Sequence, residues 1–503
     1  MSTTARSRPR HGPPTMWSAR AVQLTVVAGV GVLCAMVVAY LAADGKAPFA
    51  LALLLAVPLM AFVLRHPLSA IPIWLFVTPF LMETDGGAVR LLFWLVHRAL
   101  PVGVLINIVV GAKLGARGPL PKLRWPELAM AGYLLVTQLS ILHTSEEVVV
   151  STYHLYDRIF IPMCLYLIVR FTQPGARELR RLLPVVVFLL LSQAVIGVLQ
   201  WAAPGVLPGA WLGRVGLRTI GSLGHANVYG TTMLFAGLLL LHAGMSREPQ
   251  DGRWRFLALF PLSLVLVFMT YSRASWLAGL VVVVALFSLY PGYATKLAVV
   301  GILLSAALLA SGRIDEQVRM AQNRFRSEQS EESALSRLPV VAASLRMFGD
   351  RPLLGWGYGN FDRFDDQFQG AVGGLVVPEK DHASHNLYLT LLAEQGVIGF
   401  LGYVVPFLWW LVATARAAPS MRTDGVINRQ LVVCLWLVLV SHVVVNNYSN
   451  MRITVGLGIW WLTLGMIASI VTRSARPAGD RTDDALTTGQ QSVARPATLV
   501  GEP

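Results

Sequence analysis

Residues that handle protons and phosphates stand at the edges of long apolar runs in this 503-residue chain. His385 lies in Asp381-His-Ala-Ser-His385-Asn386-Leu-Tyr-Leu, where a polar region, 311–385, gives way to an apolar helix. A neutral imidazole, with an ordinary pKa of about 6.5, can take a proton from a hydroxyl, which makes His385 a candidate general base. The plainer reading is a histidine that caps backbone groups at a helix start. The unsatisfied N–H groups and partial positive charge of a helix N-terminus favour an anion and hold a neighbouring imidazole neutral. Arg273, in the turn Tyr271-Ser-Arg-Ala-Ser275, and Arg337, in Ser336-Arg337-Leu338, are candidate phosphate clamps. Arginine keeps its charge and forks two hydrogen bonds to phosphate oxygens, which suits the charge that builds on a departing diphosphate. A snorkelling interface arginine explains Arg273 equally well. Arg218 opens a glycine-rich stretch, Arg218-Thr-Ile-Gly-Ser-Leu-Gly-His225-Ala-Asn227, that could offer backbone N–H groups to an anion, with His225 and Asn227 beside it. Asn227 as an ordinary helix N-cap explains the same letters.

Asp362, Asp365, Asp366, Asp381, His382 and His385 could together ligate a divalent ion. Their spacing is not diagnostic, and 361–368 also reads as an amphipathic helix with the aspartates on its wet face and Phe361, Phe364 and Phe368 on the other. The favoured expectation is a site without metal or cofactor, supported by His225, Asn227, His382, Asn386 and Glu394. Gly355-Trp-Gly-Tyr-Gly359 is no phosphate loop, because no Gly-Lys-Ser/Thr follows it. Glu394 is half a helical turn out of phase with His385, so it calls for an arginine partner of its own. His442 and Asn446, at i and i+4, could simply hold helices together. His97-Arg98 and Asp157-Arg158 stay open between structure and function.

The elements that must position these residues are membrane helices. Hydrophobic residues make up 55% of the chain and charged ones 14%, with a mean hydropathy of +0.59. Repeated apolar runs predict an all-α polytopic bundle of roughly 12–14 transmembrane helices. Among them, Leu91–Ala112 is interrupted at His97-Arg98-Ala-Leu-Pro101 and Asn386–Ala413 is a single span. Basic clusters fall in alternate loops: Lys113 to Arg124, Arg177 to Arg181, Arg247 to Arg255, Arg416 to Arg429, and Arg473 with Arg476. With these and both termini cytoplasmic, the polar region faces outward. The net charge of +14 then reads as topology and attraction to anionic lipid, with no nucleic-acid partner. The expected organisation is a disordered cytoplasmic N-terminus at 1–18, membrane helices over 19–310, an extracytoplasmic catalytic loop region at 311–385, helices again over 386–473, and a disordered cytoplasmic tail at 474–503. The first span shows no small-residue cleavage site and is expected to be retained. Cys34, Cys164 and Cys434 all fall in expected spans, so no disulfide framework is expected.

Four blocks, in order, resemble the O-antigen ligase and O-antigen polymerase superfamily of bacterial envelope glycosyltransferases. They are Arg218 through Asn227, Tyr271-Ser-Arg-Ala-Ser-Trp-Leu-Ala-Gly279, Arg337 through Asp350-Arg-Pro-Leu-Leu-Gly-Trp-Gly-Tyr-Gly-Asn-Phe361, and His385-Asn-Leu-Tyr-Leu-Thr-Leu-Leu-Ala-Glu-Gln-Gly-Val-Ile-Gly399. The resemblance runs from about Arg181 to about Leu464, and Val340-Val341 stand where many relatives carry tryptophan. It implies a GT-C-like, metal-independent, inverting transferase in the cytoplasmic membrane. Such an enzyme moves a glycan from an undecaprenyl-diphosphate-linked donor to an acceptor hydroxyl on a glycan or glycolipid at the outer face. His385 matches the family's essential histidine, and Arg273 and Arg337 match its two functional arginines. Ligase and polymerase share all these motifs. A glycan or lipid flippase is the alternative from another class, although no pair of broken helices related by a repeat is evident.

Overall fold

A helix that is apolar on every face belongs inside a bundle, and two helices of this chain have that character. The computed structural model describes residues 36–41, 43–83, 87–145, 147–212, 218–247, 252–310, 319, 337–368 and 384–474. The described residues are 81% helical and contain no strand. In order, the helices are α1 (Ala47–Arg65), α2 (Ala70–Leu81), α3 (Gly87–Lys113), α4 (Trp125–Thr144) and α5 (Val148–Leu155 and Ile161–Thr172). Then come α6 (Ala176–Ala202), α7 (Ala226–Met245), α8 (Leu259–Phe268), α9 (Arg273–Leu289) and α10 (Pro291–Ala310). The rest are α11 (Arg337–Asp350), α12 (Phe361–Phe368), α13 (Leu387–Ala417), α14 (Arg429–Asn446) and α15 (Thr454–Ser474). The two all-apolar helices are α7, buried from Ala226 to Gly244, and α15, buried from Thr454 to Val471. The second half of α5, α13 and α14 pack around α15, while α6, α8, α9 and α14 pack around α7.

Lipid tails are as apolar as leucine, so close backbone approach has to supply what water exclusion cannot. Gly237 packs against Ser263 of α8 and Gly465 against the Tyr166 backbone of α5, where a Cβ would fall 2.2 and 2.9 Å from those atoms. Large apolar side chains face outward instead on the peripheral helices, among them Leu51, Ile106, Leu135, Val195 and Val284. An apolar belt of this extent is the surface a bilayer solvates. Among the described residues, six helices are long and apolar enough to cross it, namely Gly87–Lys113, α6, α7, Leu387–Ser420, α14 and α15, and Pro67–Leu81, α9 and Pro291–Leu303 are shorter apolar helices. Much of the first expected span, and both expected disordered termini except Ser474, lie outside the described residues. Loops of the basic set touch one another, as where Arg473 donates to the Gln173 carbonyl and His242 Nε2 lies 2.8 Å from the Val426 carbonyl.

Three local features depart from the sequence expectation. The interruption expected at His97–Pro101 is absent: α3 runs through on a π-helical turn, Leu95–Ala99. α5 carries a second π-turn, Tyr156–Phe160, and each is followed two residues later by proline, Pro101 and Pro162. A wide turn relieves the helix of the hydrogen bond that proline cannot donate. The two turns face each other, with Arg98 Nε donating to Asp157 Oδ1 at 2.5 Å and Trp74 Nε1 donating to His97 Nδ1 at 3.0 Å. The second departure is in α13, which is broken at Gly396 (φ 60°, ψ −167°), a conformation only glycine adopts readily. The backbone groups freed there are taken by the incoming 352–357 segment: Trp356 N–H donates to Ala393 O, Gly357 N–H to Glu394 O, and Val397 N–H to Pro352 O, at 2.9, 2.6 and 2.8 Å. Gly355 is needed for this approach, since a Cβ on it would lie 2.4 Å from the Gln395 nitrogen. Third, Asp365, expected on the wet face of α12, is fully buried. It lies one turn from Phe361 on the side that packs toward α13, while Phe364 and Phe368 close on Trp356 at 4.9 and 5.1 Å.

Candidate functional site

The polar residues gather where the α6–α7 and α8–α9 connections meet the start of α13. Thr219 N–H donates to the Met269 carbonyl (3.1 Å) and Arg218 Nε to the Thr270 carbonyl (3.3 Å), pinning the glycine-rich stretch against the turn that precedes Arg273. That turn is strained at Tyr271, a non-glycine residue at φ 46°, and is braced by Trp276, which stacks on Phe268 and donates to its carbonyl at 2.9 Å. Asn227 accepts hydrogen bonds on Oδ1 from Ser272 and Ser275, which flank Arg273. Arg273 therefore begins α9 on a support built by α7, with its side chain exposed.

The N-cap of α7 is His225, which corrects the expectation that Asn227 fills that role. His225 Nδ1 accepts the Asn227 N–H at 3.1 Å, and so the neutral ring carries its proton on Nε2. Burial pushes the His225 imidazole down to about 4, and the Arg218 guanidinium and the His385 ring push it the same way. Both groups therefore lie within electrostatic reach of His225, which sets the α6–α7 connection near the start of α13.

His385 is half-buried and directly precedes Asn386, the N-cap of α13. Asn386 Oδ1 accepts the N–H groups of Tyr388 and Leu389 at 2.9 and 3.1 Å, and its amide donates to the Asn447 carbonyl at 3.2 Å. Two of the N–H groups expected to meet an anion are thus taken by the cap itself, leaving the helix dipole as the local positive field. Arg337 is the first residue of α11, which packs on α13, and its side chain lies outside the described residues. His382 and Asp381 also lie outside them.

Glu394 has the arginine partner that its burial requires, and that partner is Arg452, in the α14–α15 connection. Arg452 Nη2 lies 2.6 Å from Glu394 Oε2, and Glu394 Oε1 accepts the Phe361 N–H at 3.2 Å. The pair fixes α12 and the α14–α15 connection on the broken segment of α13. Sequence reasoning did not single out Arg452, although an arginine in an outward loop was the very signal that drew attention to Arg218 and Arg273. His442 and Asn446 do not bond to each other: His442 Nδ1 faces the Val438 carbonyl (3.0 Å) and Asn446 Oδ1 accepts the Met451 N–H (3.3 Å). Among the described residues, no group of three His, Cys, Asp or Glu side chains could hold a metal ion.

Buried central helices and an outward apolar belt define a polytopic helical membrane protein, with polar residues at the starts of α7, α9 and α13. The O-antigen ligase family model matches residues 258–404, from the end of the short Arg253–Leu257 turn to the middle of α13. Over that segment the chain is similar to the O-antigen ligase/polymerase superfamily. No match was found among curated proteins.

Proposed function

We propose that this chain is an inverting, metal-independent glycosyltransferase of O-antigen ligase type that acts at the outer face of the cytoplasmic membrane. Its donor is a glycan on undecaprenyl diphosphate, and its acceptor is a hydroxyl on a glycan or glycolipid. One observation carries the reading: Arg218 donates to the Thr270 carbonyl ahead of Arg273, and Asn227 holds the serines either side of Arg273, while His225 lies within electrostatic reach of His385. On this reading a base and two cations share one chamber at the helix ends.

The donor diphosphate rests against Arg273 and Arg218, with Arg337 entering from the start of α11. His385 removes the acceptor proton as the oxygen attacks the anomeric carbon on the face opposite the diphosphate. The new C–O bond forms as the bond to the diphosphate breaks, the proton stays on the imidazole, and the leaving charge falls on the guanidinium groups. His225, held neutral, donates from Nε2 without adding positive charge beside the base. The region 311–385 serves as the catalytic loop region because it supplies Arg337 and His385, and the basic loops at the opposite end are cytoplasmic. Purified protein in liposomes, given donor lipid and acceptor, should form a new glycosidic linkage with inverted anomeric configuration. Passage of the donor across the bilayer without bond formation would overturn the proposal in favour of a transporter.

A further inference from the structure

A polar cavity of about 620 Å³ is lined by none of Arg218, His225, Arg273 or His385. Its walls come from five stretches: the α4–α5 connection, α5 up to its π-turn, the Tyr358–Arg363 stretch, Glu394 of α13 and the α14–α15 connection. Its wall connects to the start of α13, because Asn450 donates to Thr390 Oγ1 at 3.4 Å and Thr390 in turn donates to the Asn386 carbonyl at 2.9 Å. The cavity therefore begins about one helical turn of α13 away from His385.

Three independent features show that it is built. Arg158 enters it from the π-turn of α5, and Asp157 next to it is tied back to Arg98 at 2.5 Å and to His97 at 3.3 Å. The turn is thus pinned from behind while Arg158 is presented forward, and π-turns of this kind are concentrated at functional sites. Tyr358 is brought in by the glycine-rich segment that docks on the break in α13; it is 2% exposed, and its hydroxyl has no hydrogen-bond partner. Arg452 Nε and Asn450 Oδ1, both in the wall, also have none. Buried polar groups are nearly always satisfied, so these point to a ligand that completes them.

The lining identifies the class of ligand. Arg158, Arg363 and Arg452 face Glu147, Asp362 and Glu394, so charge is balanced across the cavity. Hydroxyls and amides of Ser145, Ser151, Tyr358, Asn360 and Asn450 fill the spaces between. A phosphate has only acceptors and would be repelled by the carboxylates, and a lipid tail would strand every polar group. A sugar hydroxyl both donates and accepts, matching a wall that holds fixed donors and fixed acceptors together. The volume lies within the range usual for small-ligand sites.

We propose that this cavity is a sugar-binding subsite that holds a glycan segment of one substrate while its reacting end lies at His385. The proposal rests on the transferase reading above. The source of the glycan, donor or acceptor, is decided by kinetics on the full chain in nanodiscs, with donor lipid and acceptor lipid extracted from the producing cells. Tyr358→Phe and Arg158→Gln should each raise KM about 3–10-fold for one of the two substrates, the effect falling on KM rather than on the saturating rate. The substrate whose KM moves is the one the cavity holds. Binding of bare undecaprenyl diphosphate, which has no sugar, should not move. Unchanged KM values for both substrates, or weakened binding of bare undecaprenyl diphosphate in both variants, would overturn the proposal. Saturation-transfer NMR with the delipidated glycan provides a readout independent of turnover. Signal lost in both variants supports the subsite even if no linkage forms, whereas absence of signal with the parent chain counts against it.

Discussion

Replacing Glu394 by glutamine tests how the α13 break is held, because it removes one charge and little else. The carboxylate is 2% exposed, its Oε2 lies 2.6 Å from Arg452 Nη2, and the Arg452 side chain is 10% exposed. The introduced glutamine would keep an oxygen for the Phe361 N–H, so the loss is confined to the ion pair. Leaving one partner of a buried pair uncompensated costs roughly 3–5 kcal/mol. Arg452 also lies 5.1 Å over the Tyr358 ring, a contact the substitution leaves in place, which puts the expected loss near the lower bound, about 3 kcal/mol. Arg452→Met should cost less than this, since an isolated carboxyl can protonate. The double variant Glu394→Gln/Arg452→Met should then be more stable than the sum of the two single losses implies, by about 2 kcal/mol or more. Unfolding in mixed detergent micelles, followed by tryptophan fluorescence across the four proteins, measures that coupling. A coupling below about 0.5 kcal/mol would refute the ion pair as the clamp on the broken helix.

Further predictions follow from the same geometry. The folded pKa of His225 is lowered to about 4 from an ordinary 6.5, so on acidification the unfolded chain takes up this proton first. Stability should fall as pH drops from about 6.5 to about 4, and His225→Asn, which can still cap α7, should flatten that slope in thermal unfolding. Gly396→Ala should destabilise by about 2 kcal/mol or more, because the backbone is strained for any L side chain and the new Cβ would lie 2.3 Å from the Leu353 carbonyl. Melting within about 1 °C of the parent would count against the break. Arg273→Ala and Arg218→Ala should each weaken donor-lipid binding by about 10–100-fold at low salt, as read by native mass spectrometry, whereas Arg255→Ala in a basic loop should not.

The membrane class was legible, and candidate site residues could be proposed, because both kinds of signal are local. Hydropathy marks the spans, and a histidine or arginine at the boundary of an apolar run stands out by its cost. The packing between segments was not. Ala393-Glu-Gln-Gly-Val-Ile-Gly399 reads as uninterrupted helix, and the break appears only where residues 352–357 supply the hydrogen bonds that Gly396 gives up. The π-turn at Leu95–Ala99 reads in sequence as an interruption at His97–Pro101, since nothing in one helix shows that a second π-turn will face it. Asp365 was assigned to solvent by its chemistry, while the docking of α12 on α13 buries it. Arg452 was the omission that sequence could have prevented: an arginine in an expected outward loop, within reach of a carboxylate expected inside a span.

The central claim is that His385 does the proton transfer while other groups hold the donor. Purified His385→Ala protein, titrated with undecaprenyl-diphosphate-linked glycan and then assayed in a single turnover with acceptor, measures the two separately. The account predicts donor affinity within about threefold of the parent and a transfer rate lower by at least roughly 100-fold. Transfer at the parental rate, or loss of donor binding in step with transfer, would contradict it.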